Sequence, residues 1–461
     1  MQYISVSKAL SMDPRLIQIL KKEEEPVLCV QAKTGKKKKL SFRALHDNNP
    51  DFYNNPLSSW TFFLPSARVH VLQSQLNDQA NTRLQYHGED DVSSTGETNG
   101  HKTNFGNRYE EIALLSAKSK LDLIKDHTGR LNKILASETI DLEEAAEVLG
   151  NSTSDASLVN KSFIEDALKL GDEEAKAFSR ELVDRTHEMV KSSTSLIDNS
   201  VFQDEMLHSL VNQSNGTVVQ HMTRTYLRCV SFLLFYNKKI LNSSHPNRVR
   251  IGFKKKYRKY YNKLLPHLHH DDVVLERVFH SGMQAISPQQ IHTFATGFLL
   301  HDIGKAKNID YYEGSEGYDR EKVVDHVRQG YKAILNKTDY PMEVSMITGY
   351  HHEYYGHPSG YGFFRAELKR HYQTHPKHHV DYVIGYHTHN VLSFQTMSFF
   401  PAKILEIVDV FDALTDPNRR YREPLDSNGA LEVMREQFVE EELKLDPILF
   451  DLYSEYQLNS A

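Results

Sequence analysis

An apolar stretch that ends in an adjacent histidine and aspartate dominates the C-terminal half of the sequence. Phe298-Leu299-Leu300 is followed directly by His301-Asp302-Ile303-Gly304-Lys305. The apolar run predicts a buried helix, and Gly304 allows the chain to turn tightly after it. An imidazole nitrogen beside a carboxylate suits divalent metals such as iron, manganese or zinc. A single His-Asp pair is common in proteins, so its interpretation depends on the residues further along the chain.

Further ligand-type residues occur in order, each within an apolar pattern. His326 lies in a segment with amphipathic helical spacing. His351 and His352 are adjacent and end another apolar stretch. Asp409 and Asp412 lie three residues apart on an apolar helix, so they share one face of it. A carboxylate on a packed helix needs a partner, and a metal ion would supply one.

Together these residues offer enough nitrogen and oxygen ligands for two divalent metal ions. Two such ions close together can bridge a hydroxide and stabilise in-line attack on phosphorus. In a centre of this kind imidazoles hold the ions, while carboxylates bridge them and offset their charge. The pattern therefore indicates metal-dependent hydrolysis of a phosphate ester.

In order and spacing, the series resembles the HD-GYP phosphodiesterases, a branch of the HD hydrolase superfamily. The resemblance runs from about residue 291 to 425, under a third of the chain. The motifs are highly specific as a set, whereas none of them is specific alone. They are His301-Asp302-Ile303-Gly304-Lys305, His326 with Gly330, His351-His352-Glu353, Ser359-Gly360-Tyr361, Asp409-Val410-Phe411-Asp412-Ala413-Leu414-Thr415 and Arg420-Tyr421-Arg422.

The resemblance implies an all-helical HD-type domain that hydrolyses a cyclic dinucleotide, first of all cyclic di-GMP, to linear pGpG or GMP. A hydroxide bridging two metal ions would attack one phosphodiester, with iron or manganese as the expected metals and zinc behind them. Asp302, which would bridge the ions, and Lys305, which would contact a phosphate oxygen, are the implied catalytic residues. The implied metal ligands are His221, His301, Asp302, His326, His351, His352 and Asp409, and the implied substrate-binding residues are Lys305, Gly360, Tyr361, Arg419 and Arg422.

The first ligand of the family is a histidine on a helix before the His-Asp pair, and two assignments are open here. His221 lies in a helix-forming segment with an apolar stripe, but 80 residues before His301. That assignment requires an insertion that contains the basic run Arg248–Lys259. His269 or His270 is closer in sequence but lies in a run typical of a loop. We prefer His221.

The sequence departs from the family pattern at three places. Thr217 stands where members with a third metal ion carry a glutamate, so we expect two ions. Gly362 replaces the proline of the Gly-Tyr-Pro signature, which removes a fixed backbone angle from the loop and leaves substrate preference open. We interpret the long segment after Phe363 as an exposed, aromatic-rich insertion rather than an extra metal site, although it carries His371, His375, His378, His379, His387 and His389.

Two other functions are open at this level. The same fold could be a catalytically weak nucleotide-binding module that signals through residues 1–200. The altered loop favours that interpretation, and the complete ligand set disfavours it. Alternatively, the domain could hydrolyse another nucleotide, such as cyclic GMP-AMP, because metal ligands specify the reaction type rather than the base.

The composition of successive segments predicts a mainly α protein with a small β-rich N-terminal domain. Residues 1–76 contain four short β-prone runs, Val27–Ala32, Lys39–Phe42, Trp60–Leu64 and Arg68–Leu72. They predict a small N-terminal domain whose regulatory role is unknown. Residues 77–107 are polar and predict a linker, and residues 108–200 have apolar residues at helical spacing. We expect the HD-type domain over residues 201–440 and a C-terminal tail over residues 441–461.

Composition also limits the compartment and the partners. The net charge of −6 argues against a duplex nucleic-acid partner. Two cysteines are too few for a disulfide framework, and no apolar run reaches the roughly 18 residues that span a bilayer. No signal-peptide pattern is visible, so we expect a cytoplasmic protein. The family resemblance implies a role in bacterial signalling. A homodimer through the helical segment and signalling partners at the Gly-Tyr-Gly loop are further expectations.

Overall fold

The chain forms a β-rich unit and a larger helical unit. The computed structural model describes residues 3–6, 20, 26–31, 37–48, 60–65, 105–199, 218–242, 244–305, 320–377, 380–416 and 423–459. The two compact units are Met1–Lys102 and Thr103–Ala461. The predicted fold class, mainly α with a small β-rich N-terminal region, is confirmed.

The N-terminal unit contains a four-stranded antiparallel sheet. Its elements are β1 (Tyr3–Ser5), β2 (Pro26–Gln31), β3 (Lys37–Ser41), α1 (Phe42–Asn48) and β4 (Trp60–Pro65). The strand order is β1-β4-β2-β3. Val27 and Cys29 alternate along β2 and are fully buried, as expected for a strand with one covered face. The sequence predicted β2, β3 and β4 but not β1, and its strand at residues 68–72 lies outside the described residues.

The second unit is helical except for one short strand pair in the described residues. Its helices are α2 (Phe105–Leu114), α3 (Ala117–Leu135), α4 (Leu142–Ala167), α5 (Asp172–Asp198), α6 (Val218–Leu241), α7 (Ser244–Lys256), α8 (Arg258–Leu264), α9 (Leu275–Val278), α10 (Pro288–Leu300), α11 (Arg320–Lys337), α12 (Met342–Tyr350), α13 (Phe364–Thr374), α14 (Thr388–Leu392), α15 (Phe400–Thr415), α16 (Ser427–Val433) and α17 (Pro447–Asn459). A 3₁₀ turn spans Tyr354–Gly356, and a π-helical segment spans Met434–Glu441. The strands β5 (Ile384–Gly385) and β6 (Ser398–Phe399) pair in parallel.

The start of α10 is fixed by its own side chains. Ser287 and Gln290 form a capping box, and Pro288 occupies the first turn. From Phe294 to Leu300 every residue of this helix is buried. Because His301 follows the last residue of α10, this fixed and buried helix also fixes the position of His301.

Five helices surround the buried histidines. α10 packs against α6 and α12, and α15 packs against α6 and α12. α11 also packs against α12. These helices carry His221, His326 and Asp409. The pair His301-Asp302 follows α10, and the pair His351-His352 follows α12.

Helices α3, α4 and α5 belong to the same hydrophobic core. They pack on one another, and α4 and α5 also pack on α6, α10 and α11. Every residue of α4 from Ser152 to Ile164 is buried. The predicted boundaries of the segments stay predictions, but residues 108–199 are packed as part of the core rather than as a separate connector.

The predicted insertion and the predicted tail are also folded. α7, α8 and α9 lie between α6 and α10, in the stretch that the preferred assignment of His221 requires as an insertion. α17 packs against α6 and α15, and its Tyr453 is fully buried. None of the described helices is both long enough and apolar enough to cross a membrane.

Candidate metal centre

His301 and Asp302 follow the last residue of α10 and are buried. The turn after them lies against α11 because Gly304 has no side chain. A Cβ on Gly304 would lie 1.9 Å from the carbonyl oxygen of His326. A Cβ on Gly330, one turn further along α11, would lie 3.2 Å from the backbone nitrogen of Gly304. This close approach brings Asp302 within reach of His326.

His301 and His351 are held in the same way at the ends of their helices. Nδ1 of His301 donates to the carbonyl oxygen of Phe298 at 2.9 Å. Nδ1 of His351 donates to the carbonyl oxygen of Thr348 at 2.8 Å. In this tautomer Nε2 of each ring carries the lone pair. Metal-binding histidines commonly have one ring nitrogen fixed by such an acceptor, which leaves the other nitrogen for the ion.

The residues implied as ligands fall into two groups. Within each group, one ligand atom per residue lies within 4.8 Å of the others. Imidazole and carboxylate groups at this separation could hold a metal ion. The first group consists of His221, His301 and Asp409, and the second consists of His326, His351 and His352.

Asp302 lies between the two groups. Its Oδ2 is 3.5 Å from Nε2 of His221 and 3.6 Å from Nε2 of His301. Its Oδ1 is 3.1 Å from Nε2 of His326 and 3.9 Å from Nε2 of His351. Each carboxylate oxygen therefore faces a different group, as a bridging ligand requires.

Asp409 spans the same gap from α15. Its Oδ1 lies 3.0 Å from Nε2 of His221, and its Oδ2 lies 3.9 Å from Nε2 of His352. Its side chain is 13% exposed, compared with 1% for Asp302. Asp409 therefore lies on the more open side of the cluster.

A buried charge network lies behind His221. Nδ1 of His221 donates to Asp412 at 2.8 Å, and Arg224 donates to both oxygens of Asp412 at 2.9 Å. Arg228 also donates to Asp412, and Arg224 reaches Asp416 at 2.8 Å. The sequence analysis did not identify this network. A signal was present, because Arg224 and Arg228 lie three and seven residues after His221, on the same face of α6.

Burial keeps three of the histidines neutral. It lowers the pKa of His352 to about 3. Burial also lowers the pKa of His351 and of His301. His221 differs, because its hydrogen bonds with Asp409 and Asp412 outweigh burial and raise its pKa.

Both carboxylates of the cluster are held in the ionised form. Burial alone would raise the pKa of Asp302, but Lys305 and His301 outweigh it and hold that pKa well below its usual range. Burial likewise opposes ionisation of Asp409, but its hydrogen bond with His221 outweighs burial and lowers the pKa. The cluster therefore combines the neutral imidazoles of His301, His351 and His352 with carboxylate anions.

A metal ion would satisfy a polar atom that the protein leaves unpaired. Nε2 of His301 is fully buried and has no hydrogen-bond partner among the described residues. A buried polar atom without a partner costs about 1–3 kcal/mol. A mixture of imidazole nitrogens and carboxylate oxygens suits iron, manganese and zinc. The residues present therefore fit a metal centre.

The Gly-Tyr-Gly loop lies directly on His352. The backbone N–H of Tyr361 donates to the carbonyl oxygen of His352 at 2.8 Å, and the two rings are 4.3 Å apart between centroids. A Cβ on Gly360 would lie 2.8 Å from the same carbonyl oxygen. Lys305 reaches the cluster from the other loop, where its ammonium group donates to Asp302. Lys305, Gly360 and Tyr361 are thus at the edge of the cluster.

Other residues named from the sequence lie elsewhere. His269 and His270 are 66% and 60% exposed and group with Asp271, which Arg258 contacts at 3.0 Å. The structure therefore places His221, and not His269 or His270, with His301 and Asp409. Thr217, Arg419, Arg420, Tyr421 and Arg422, also named from the sequence, lie outside the described residues.

The histidines after Phe363 do not form a further cluster of three ligands in the part that the structure describes. His371 on α13 stacks on Phe394 with ring centroids 4.0 Å apart, and His375 is exposed. His387 and His389 stack on each other, with ring centroids 5.6 Å apart. His378 and His379 lie outside the described residues.

Comparison with known proteins adds no family to this geometry. No family model, no curated protein and no solved structure is similar enough to the chain to match it. Inference about function therefore depends on the cluster itself.

Proposed function

We propose that this protein is a metal-dependent phosphodiesterase that hydrolyses a cyclic dinucleotide, with cyclic di-GMP as the first substrate to test. One observation carries the proposal: the two oxygens of buried Asp302 face two separate groups of ligand residues. A single metal ion would not need both groups. Two ions held side by side match the demands of in-line displacement at phosphorus.

The chain offers a separate ligand set for each ion. His221, His301 and Asp409 would hold one, His326, His351 and His352 would hold the other, and Asp302 would contact both. When bound, the ions would polarise a phosphoryl oxygen and lower the pKa of a coordinated water. We propose iron or manganese, because the imidazole and carboxylate mixture suits both.

Residues at the edge of the cluster would position the substrate. Lys305 carries its positive charge beside Asp302, where it can meet a non-bridging phosphate oxygen as well. The half-buried ring of Tyr361 lies 4.3 Å from the ring of His352 and offers a flat face for a base or a ribose. Asp409, on the more open side of the cluster, would be the ligand nearest to the entering substrate.

The proposal is tested by metal content and turnover measured on the same preparations. Protein purified without oxygen, and reconstituted with iron or manganese, is analysed for metal per chain and incubated with cyclic di-GMP. Products are separated by chromatography. We expect about two metal ions per chain, as a dinuclear mechanism requires, and a linear or mononucleotide product.

Matched histidine variants make the test specific. His326→Ala removes a ligand of the second group, whereas His269→Ala removes an exposed histidine outside it. Only the first should lower metal content and abolish turnover. If the protein binds metal but does not hydrolyse cyclic di-GMP, cyclic GMP-AMP or linear dinucleotides, the proposed phosphodiesterase activity is wrong. If both variants have the same metal content, the proposed metal centre is wrong.

A further inference from the structure

The insertion between α6 and α10 carries a concentrated positive charge. From Ser244 to His270 the sequence has eight lysine and arginine residues and no carboxylate, although the whole chain has a net charge of −6. This stretch forms α7 and α8. The positive charge is therefore concentrated on one part of the chain, and carboxylates from elsewhere in the fold pair with Arg250, Lys256 and Arg258.

One face of α7 combines this charge with an exposed aliphatic side chain. Val249 and Phe253 are buried and hold the helix to the core. Ile251 lies on the opposite face and is 85% exposed. Helical geometry places Arg248 and Lys255 on the same face as Ile251, three residues before it and four after it.

Three of the basic residues around Ile251 make no close ion pair with a described carboxylate, although Lys254 lowers the pKa of Asp271 from a distance. Arg248, Lys254 and Lys255 are exposed, and no ion pair involves them within the described residues. Neighbouring cations do have partners, for example Arg250 with Glu276 at 2.6 Å. At this exposure the side chain of Ile251 packs on little of the protein. Charge and aliphatic group together are complementary to a surface that is anionic and partly apolar.

We propose that this face of α7 (Arg248, Ile251, Lys254 and Lys255) binds the surface of a membrane that contains anionic lipids. The basic groups would contact lipid phosphates, and Ile251 would enter the region below the headgroups. A single-stranded nucleic acid fits less well, because it needs exposed aromatic rings for stacking. Tyr257, Tyr260 and Tyr261, which interrupt the basic run, are all buried.

Vesicle binding of the full chain tests the proposal. We expect sedimentation with vesicles of phosphatidylcholine and phosphatidylglycerol, but not with phosphatidylcholine alone, and loss of binding at high salt. A basic residue near an anionic surface raises affinity by about fivefold. Lys254→Glu with Lys255→Glu should therefore weaken vesicle binding by more than about 25-fold.

Two further variants separate a membrane from other polyanions. Ile251→Ser should weaken vesicle binding and leave binding to heparin or to transfer RNA unchanged. Lys118→Glu with Lys125→Glu reverses two exposed charges on α3 and should leave vesicle binding unchanged. Thermal unfolding of each variant checks that the fold is intact. The proposal fails if phosphatidylcholine alone binds equally well, if the α7 variants bind vesicles like the parent, or if Ile251→Ser has no effect on vesicles.

Discussion

Asp412 accepts a hydrogen bond from Nδ1 of His221 at 2.8 Å, while Nε2 of the same ring lies 3.0 Å from Asp409. Both aspartates belong to α15, one turn apart. Asp412 thus fixes the orientation of the His221 ring, and Asp409 contacts the opposite nitrogen of that ring. Asp412 is fully buried, and Arg224 and Arg228 compensate its charge.

Asp412→Asn should weaken metal binding and destabilise the fold. The substitution keeps the shape of the side chain but removes the negative charge that orients His221. Loss of such an outer partner weakens metal affinity by about 10- to 100-fold. It also leaves two buried guanidinium groups with less compensation, so we expect a loss of about 3–5 kcal/mol in the free energy of unfolding. Metal titration and urea unfolding measure the two effects.

Asp416→Asn is the matched control for Asp412→Asn. Asp416 contacts Arg224 at 2.8 Å, whereas His221 donates to Asp412. We expect lower stability and unchanged metal affinity. Equal losses of metal affinity in the two variants would mean that Asp412 acts through the general stability of the fold and not through His221.

Gly304→Ala should separate the His-Asp loop from α11. The new Cβ would meet the carbonyl oxygen of His326 at 1.9 Å, and backbone atoms cannot give way as a flexible side chain can. The loop has to move, and Asp302 moves with it, away from His326. Since 1 Å of misplacement can reduce catalysis by about 100-fold, we expect a loss of that order in turnover and a lower affinity for metal at the second group.

Gly129→Ala is a control at a glycine where a side chain fits without a clash. Gly129 lies within α3, and a Cβ there would meet no atom within 4 Å. Alanine is favoured over glycine inside a helix by about 0.5–1 kcal/mol. We expect a more stable protein with unchanged turnover. A loss of turnover in Gly129→Ala similar to that in Gly304→Ala would contradict the steric explanation.

The sequence predicted which histidines and aspartates would lie together because these residues lie on strong local patterns. The His-Asp pair follows an apolar helix, and the structure indeed places His301 after α10. Spacing alone could not decide between His221 and His269, because the insertion that separates His221 from His301 has its own fold. Only the packing of α6 against α10 and α15 brings His221 to the cluster.

The place of α4 in the core was not predictable in the same way. Its segment Ser152-Thr153-Ser154-Asp155 is polar, which is typical of a solvated face, yet all four residues are buried. Three of the four side chains have hydrogen-bond partners on a neighbouring helix or on the helix backbone, for example Asp155 with His127 and Thr153 with the carbonyl oxygen of Leu149. Tertiary partners of this kind leave no periodic signal in a sequence.

Asp155 should make the stability of the helical unit depend on pH. Burial opposes its ionisation, but hydrogen bonds from His127 and Arg108 outweigh burial and lower the pKa of Asp155. A carboxyl with a lowered pKa in the folded state stabilises the fold above its unfolded pKa and loses that contribution as the pH falls. Asp155→Asn should therefore reduce the free energy of unfolding by about 1–3 kcal/mol near neutral pH.

Urea unfolding at two pH values checks the assignment to Asp155. The difference between the parent and Asp155→Asn should shrink as the pH falls below about 4, where the carboxyl of the unfolded chain becomes protonated first. Asp126→Asn, an exposed change one residue before His127, should have little effect at either pH. A difference that is constant with pH would show that the side chain acts by its shape and not by its charge.

Tyr261→Phe should loosen the attachment of α8 to the end of the chain. The hydroxyl of Tyr261 donates to Asp446 at 2.6 Å, and Tyr355, three residues after His352, donates to the same buried carboxylate at 2.6 Å. Removing one donor from a buried acceptor costs about 1–3 kcal/mol. Tyr260→Phe is the matched control, since its hydroxyl lies 3.5 Å from Glu440 in a more open position. We expect urea unfolding to show a clear loss of stability for Tyr261→Phe alone, with metal content unchanged in both variants. A loss of metal in Tyr261→Phe would instead mean that Asp446 holds the turn after His352 in place as well.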